Sequence, residues 1–331
     1  GVQTCALPIW RQGFDYAGDS RADLPVWEAS RQAVVVGSQA LWKQASQVAL
    51  VGNHFRTAAV WPAFLRALRP HQWVKNLLLF LPLLAAHAID EPGRVAQALL
   101  AFVAFSLTAS SVYLLNDLLD LPADRQHPRK KDRALASGAL PLLPGAAAIP
   151  FLLLGAALVS LLFLPNPFLW VLGLYYLLTN AYSFGLKRKP VVDVLVLAGL
   201  YTIRVMAGAA AIAVPLSFWL LAFSLFIFLS LALAKRYTEL ASLQSRGESN
   251  AAGRGWQVND LPLVRSFGTG SALGCVLILA LYIDSAPAQR LYATPELLWL
   301  VCPLLLYWIC RVWFFAHRGL MHDDPVVFAL R

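Results

Sequence analysis

Eight stretches of this chain are apolar for about as long as a helix needs to cross roughly 30 Å of hydrocarbon at ~1.5 Å per residue. They run over 75–89, 95–115, 145–164, 167–184, 191–214, 217–234, 264–283 and 297–315. No other feature narrows the fold as far, because backbone polar groups in lipid must be satisfied within helices or closed barrels. Composition agrees: 59% of the 331 residues are hydrophobic and 14% are charged, too few charges for a soluble domain of that length. Short turns, "LPNP" (164–167) and "AVPLS" (213–217), join successive stretches. The expectation is therefore an all-α, polytopic transmembrane helical bundle with eight spans.

The basic residues between these stretches are distributed unevenly. One set of alternate loops carries Arg66, Arg69 and Lys75, then Arg125, Arg129, Lys130, Lys131 and Arg133, then Lys187, Arg188 and Lys189, then Lys235, Arg236, Arg246, Arg254 and Arg265, and finally Arg318. The opposite loops carry Arg94 and Arg290. By the positive-inside rule the basic face is cytoplasmic. The net charge of +9 thus belongs to membrane topology, and nucleic acid is not an expected partner. None of the four cysteines forms a CxxC pair, so neither a disulfide framework nor a zinc site is indicated. No feature of the sequence fixes an oligomeric state.

Topology does not account for the acids that follow the second stretch. "YLLNDLLDLPADRQHPRKKDRALASG" (113–138) places Asp117, Asp120 and Asp124 just ahead of the basic cluster. Scattered loop acids at a helix end are one reading. The spacing i, i+3, i+7 favours another, since it sets all three on one helical face. Like charges so placed repel unless a cation lies between them, and Mg²⁺ held by carboxylates and completed by phosphate oxygens is the usual arrangement. Arg129, Lys130, Lys131 and Arg133 would then offset the remaining phosphate charge.

"NDLLDLPAD" (116–124) resembles the N-D-x-x-D-x-x-x-D motif of the UbiA superfamily of intramembrane prenyltransferases. The resemblance extends from about residue 65 to the end, through "LRPHQWVKNLLLFLPL" (68–83), "HPRKKDRALASG" (127–138), "AYSFGLKRKPVVDVLVLAGLYTIRVMAGAAA" (181–211) and "HDDPVVFAL" (322–330). It implies a helical bundle of about nine spans that binds a Mg²⁺–diphosphate donor and passes its group to a lipid-side acceptor. On this reading Asp117, Asp120 and Asp124 are the catalytic metal ligands, and Asn116 belongs to the same motif. Many members carry a second aspartate-rich motif after the sixth helix. Here that place reads "LALAKRYTELASLQ" (231–244), with Lys235, Arg236 and Glu239. A basic second site suits an anionic acceptor, and the pattern resembles the branch that moves phosphoribose from phosphoribosyl pyrophosphate to a polyprenyl phosphate.

Other charged and polar residues extend the expected substrate site. Arg69, Lys75 and Asn76 open the first stretch; basic side chains snorkelling to the interface are the alternative for this group. Tyr182 and Lys187 fit the family's "YSxxLK" element and are expected to hold phosphate or ribose, with an interfacial aromatic belt equally open for Tyr182. Asp193 and Arg204 lie in the fifth stretch, where charges are costly and usually face a cavity. A mutual pair is the alternative, but their separation is about three helical turns. Asp323 and Asp324 match a family element without an evident chemical role.

The front of the chain differs. Residues 1–10 look like a non-native leader. In 11–60, "GDSRAD" (18–23) resembles the G-D-x-x-x-D motif near the end of haloacid-dehalogenase-type phosphatase domains, where Asp19 would be a metal ligand and Asp23 its support. The nucleophilic motif of such domains would lie upstream. The expectation is a short α/β remnant ahead of a transferase domain at 65–331, within a longer fusion that has a ninth span. Two rivals remain: an aromatic prenyltransferase of the same fold, disfavoured by the missing second aspartate motif, and a transporter with an acidic cation site. A CDP-alcohol phosphotransferase is set aside because its D-G-x-x-A-R opening is absent.

Overall fold

The computed structural model describes residues 13–56, 60–128, 130–249 and 255–321. The leader at 1–10, Arg129, Arg254, Asp323 and Asp324 lie outside them. The chain divides into two compact units: Gly1–Arg66 with Leu121–Leu142, and Ala67–Asp120 with Leu143–Arg331.

In the first unit, β1 (Asp15–Gly18), α1 (Leu24–Glu28), β2 (Gln32–Gly37), α2 (Gln39–Val48) and β3 (Val51–Arg56) form a parallel sheet of order β1-β2-β3. The period-2 pattern of β2 buries Ala33, Val35 and Gly37 and leaves the intervening residues outside, as a half-covered strand requires. Trp27, Leu41 and Ala45 complete this small core. The "GDSRAD" turn closes on Asp23. Its carboxylate accepts the backbone N–H groups of Asp19 and Ser20, both at 2.9 Å, and the Tyr16 hydroxyl at 3.2 Å. Burial pushes this carboxyl up, but those donors outweigh it and hold it below the usual carboxylate range. A Cβ at Gly18 would lie 2.6 Å from the Asp23 carboxylate, so the tight turn needs glycine there.

After α3 (Val60–Ala67), an eleven-residue 3₁₀ stretch (Pro70–Phe80) leads into the short α4 (Leu81–Ala85) and the long α5 (Pro92–Leu119). Then come α6 (Leu121–Gln126), α7 (Leu142–Phe163), α8 (Asn166–Phe184), α9 (Val192–Ala211), α10 (Phe218–Ser245), α11 (Leu261–Ile283), α12 (Ala286–Leu291) and α13 (Val301–His317). Among the described residues, six segments are long and apolar enough to cross a membrane: Pro92–Leu119, Leu142–Phe163, Val192–Ala211, Phe218–Ser245, Val258–Ile283 and Pro295–His317. The protein is an integral membrane helical bundle.

Two of the eight expected spans fall outside these six. The stretch at 75–89 is not one helix: Pro82 removes an N–H and its ring opposes the carbonyl of Leu78, so 3₁₀ geometry gives way to a five-residue helix. The stretch at 167–184 is helical, but Tyr175, Tyr176, Thr179, Asn180 and Tyr182 make α8 too polar to be counted among them.

Lipid exposure sorts the helices. Over its most apolar stretch α7 is 17% buried, and it presents Phe151, Leu158, Leu161 and Leu162 outward. The corresponding figure for α5 and α9 is 61%. α9 is the central post: its residues join one core with α4, α5 and α8 and another with α10, α11 and α13. Close approach there depends on Gly208. A Cβ at this position would overlap the backbone oxygen of Leu79, a clash with main chain that cannot swing away. Gly208→Val is expected to lower stability by about 1–3 kcal/mol through overpacking, read as an earlier thermal transition of the detergent-solubilised protein.

Candidate active site

The acidic motif is not one continuous helical face. α5 ends at Leu119, Asp120 is its C-cap, and Pro122 forces a new start at α6, since its ring would oppose the Leu118 carbonyl. Asp117 and Asp120 thus stand at the end of α5, while Asp124 belongs to the separate helix α6. Among the described residues, no three His, Cys, Asp or Glu side chains gather closely enough to cage an ion by themselves.

Each acid has its own setting. Asp117 is 4% exposed and accepts the Arg69 Nη2 at 2.5 Å. Arg69 in turn lies over the Tyr113 ring, 5.1 Å from its centroid. Its backbone is left-handed, φ 53 and ψ 57, uncommon for a residue with a Cβ and more so ahead of Pro70. That kink starts the 3₁₀ stretch and aims the guanidinium at Asp117. Asp120 is exposed at the helix end, one turn from Asp117, and its backbone N–H donates to the Asn116 carbonyl at 2.9 Å. Asp124, in the other unit, is held by Arg133 at 2.6 Å and by Lys130 at 3.9 Å.

Residues of the fourth and fifth expected spans and of the stretch after the sixth form a buried knot in the transmembrane unit. The Arg236 guanidinium donates to both Asp193 oxygens, from Nε at 2.5 Å and Nη2 at 3.1 Å, and from Nη1 to Glu239 at 2.6 Å. Tyr182 donates its hydroxyl to Asp193 at 2.7 Å, and the Trp256 indole N–H donates to the same carboxylate at 3.0 Å. Asp193 is 0% and Arg236 1% exposed. Arg236, expected from the sequence to meet an anionic acceptor, is here paired bidentately with Asp193 and bonded to Glu239, a charge-assisted set that fixes the direction of its guanidinium. Lys187 is half-buried in the 3₁₀ turn Leu186–Arg188, and Lys235 and Glu239 are half-buried on α10.

Arg204 and Asn76 make a second internal network. Arg204 Nε donates to Asn76 Oδ1 at 3.0 Å, another nitrogen to the Leu200 carbonyl, and Nη2 to the Tyr175 hydroxyl at 3.3 Å. Its charge faces the rings of Phe105, Tyr175 and Tyr201, a cation–π setting suited to a buried guanidinium. Asn76 Nδ2 reaches Ser106 at 3.0 Å. Both thereby tie the 3₁₀ stretch, α5 and α9 together, the bonds named here running from their polar atoms to protein groups. Lys75 lies over the Tyr201 ring at 5.9 Å. The Asp193–Arg204 pairing weighed from the sequence does not occur; each has a partner on another element.

Trp256, Tyr175, Tyr113 and Ser106 have no signal in the sequence. Trp256 sits in a loop without periodicity, and the other three look like ordinary span residues. Strain accompanies the knot. Val191 has φ 65 and ψ −53, and Val192 N bonds the Pro190 carbonyl at 2.7 Å, a γ-turn of the rare, strained hand. It sets Asp193 in the first turn of α9. Gly255 packs against this turn, where a Cβ would overlap the Arg188 carbonyl. Val191→Gly is expected to raise stability by about 1 kcal/mol by relieving a β-branched residue at positive φ, seen as a later melting transition.

Comparison with known proteins bears on this arrangement. Residues 77–329 match the model of the UbiA prenyltransferase family. The uncharacterized protein y4nM of Sinorhizobium fredii is 39% identical over 96% of this chain and 62% of its own length. The nodulation protein NoeC of Azorhizobium caulinodans is 34% identical over 81% of this chain and 86% of its own. A decaprenyl-phosphate phosphoribosyltransferase of Mycolicibacterium smegmatis is 39% identical over 55% of this chain and 58% of its own. The chain thus spans less than two thirds of the length of the first and third of these relatives. Among solved structures, a UbiA homolog from Archaeoglobus fulgidus bound to DMAPP and Mg²⁺ superposes with a TM-score of 0.60 at 15% identity, over 81% of this chain and 93% of that one.

Proposed function

The chain belongs to the UbiA prenyltransferase family, and from that membership we propose that it is a membrane transferase moving phosphoribose from phosphoribosyl pyrophosphate to a polyprenyl phosphate. The observation that carries this reading is the charge arrangement on either side of the bundle's substrate end. One acidic pair, Asp117 and Asp120, suits a single Mg²⁺–diphosphate, while the place where a second aspartate cluster would stand holds Lys235 and Arg236. The 39% identity to the mycolicibacterial phosphoribosyltransferase points the same way.

Asp117 and Asp120 fit Mg²⁺ of the substrate-chelated kind. Their hard oxygens lie one turn apart at a helix end, and Mg²⁺ commonly takes one or two carboxylates and completes its shell with phosphate oxygens and water. The ion would supply charge for the departing diphosphate. Asp124 is the third acid of the family motif, and within its own unit Lys130 and Arg133 hold it; the resemblance suggests these two cations as phosphate binders. Arg69 holds Asp117 in its rotamer, and Lys75 and Lys187 are candidates to bind anionic groups. In the reaction a lipid phosphate oxygen attacks the ribose anomeric carbon, the carbon–oxygen bond to diphosphate breaks, and pyrophosphate leaves. The attacking oxygen is already anionic, so positioning carries more of the rate than proton transfer.

The one-sided basic loops support a cytoplasmic position for this end of the bundle, where the soluble donor is found. The front unit is read as the tail of a phosphatase-like domain, supported by its parallel β-α-β-α-β order and by the Asp23-centred turn. Pyrophosphate release tests the transferase reading. With phosphoribosyl pyrophosphate, a polyprenyl phosphate and Mg²⁺ the purified protein is expected to release it, and chelation by EDTA is expected to stop it. Release that persists without any divalent ion removes the metal role from Asp117 and Asp120.

A further inference from the structure

We infer that the end of the bundle remote from the acidic motif carries a second lipid site, one that takes a hydrocarbon chain with a phosphate head of net negative charge. A cavity of about 520 Å³ lies there, lined by Trp219, Leu220 and Phe223 of α10, Ile278 and Tyr282 of α11, and Arg290 of α12, among others. Its volume is in the range of cavities that hold a single ligand. The position is fixed by the helices. Leu220 precedes Arg236 on the same helix by roughly 24 Å, and α5, which starts at Pro92, runs roughly 38 Å before it reaches Asp117, both at ~1.5 Å per residue. The site is therefore separate from the one assigned to transfer, and it does not depend on that assignment.

The chemistry of the lining selects the ligand. The walls are aliphatic and aromatic, so the buried part is hydrocarbon. Trp219 and Tyr282 approach with ring centroids 6.3 Å apart, and His87 meets Tyr292, which also lines the cavity, edge-on at 5.1 Å. Such rings gather at the headgroup level of a bilayer. Arg290 is the one formally charged residue of the lining; it is exposed and has no acidic partner among the described residues. The acids of this end, Asp90, Glu91, Asp284 and Glu296, are not in the lining, and Glu91 is taken by Arg94 at 3.0 Å. An exposed guanidinium in the lining of an apolar cavity that also holds Trp219, Tyr282 and Tyr292 complements a phosphate head of net negative charge, whereas a zwitterionic head brings its own cation.

The test measures lipid retained by the full chain in detergent, using native mass spectrometry. Phosphatidylglycerol is expected to be retained in preference to phosphatidylcholine of the same chains. Arg290→Ala should cut phosphatidylglycerol retention about fivefold, the order expected for one cation near a lipid head, and leave phosphatidylcholine unchanged. Ala85→Phe, which fills the cavity from an exposed position, should reduce both without shifting the melting transition. Millimolar inorganic phosphate should displace neither, because the chain anchors the ligand. Competition by a polyprenyl phosphate that disappears in Arg290→Ala would make that lipid an occupant; its failure would assign the site to phospholipid. Equal retention of the two phospholipids by the unaltered protein, or full phosphatidylglycerol retention by either variant, would overturn the site.

Discussion

Asp117→Asn is expected to lower pyrophosphate release by about 10²–10³-fold, the usual loss when one preorganised charge at a reacting phosphate is removed. Asparagine keeps the shape and an oxygen for Arg69, whose Nη2 sits 2.5 Å from the carboxylate. The left-handed turn at Arg69 and its packing on Tyr113 should therefore survive, and the melting transition should move little. What disappears is the negative charge that would hold a metal-bound diphosphate. Asp120→Asn, at an exposed site, should cost less, because water can replace part of its role. The measurement is pyrophosphate release under saturating Mg²⁺, paired with a thermal melt of the same preparation. An Asp117→Asn protein with unaltered release would return the motif to scattered acids at a helix end.

The largest effect on stability is expected from Arg236→Met. Removing the guanidinium takes from the buried Asp193 its bidentate charged partner, leaving neutral donors such as the Tyr182 hydroxyl and the Trp256 indole beside it, and breaking a buried pair in this way costs about 3–5 kcal/mol. The paired substitution Asp193→Leu with Arg236→Met should recover most of that loss, because two desolvated charges are then replaced by apolar side chains. Glu239 is about one-third exposed and keeps access to solvent when Arg236 is removed. Thermal unfolding in detergent, followed for each single variant and the double, distinguishes the outcomes. A single Arg236→Met that melts like the parent would show that the pair does not hold the helices.

The sequence makes some of this legible and obscures the rest for physical reasons. Long apolar runs and one-sided basic loops announce a membrane bundle, since both follow from the solvent each face meets. The break after Leu119 is instructive: Pro122 is visible within "LLDLPAD", and its missing N–H ends α5 and puts Asp124 on a new helix. Pro82 has the same meaning for the 75–89 stretch. Partner choice is harder to read. Asp193 and Arg236 are 43 residues apart in sequence, Arg204 and Asn76 are 128 apart, and such pairings depend on which helices meet, not on local pattern. Trp256 enters the knot from an aperiodic loop. Arg69 meets Asp117 through a left-handed backbone that has no sequence mark.

The most direct test of the central claim is the identity of the lipid product. The purified protein would be incubated with Mg²⁺ and either phosphoribosyl pyrophosphate plus a polyprenyl phosphate or a prenyl diphosphate plus an aromatic acid, and the lipid extract weighed by mass spectrometry. A polyprenyl phosphate that has gained one phosphoribosyl group, formed only from the first pair and lost in Asp117→Asn, is the predicted result. A prenylated aromatic from the second pair, with phosphoribosyl pyrophosphate left intact in the first, would contradict it and assign the chain to the prenyl-donor branch of its family.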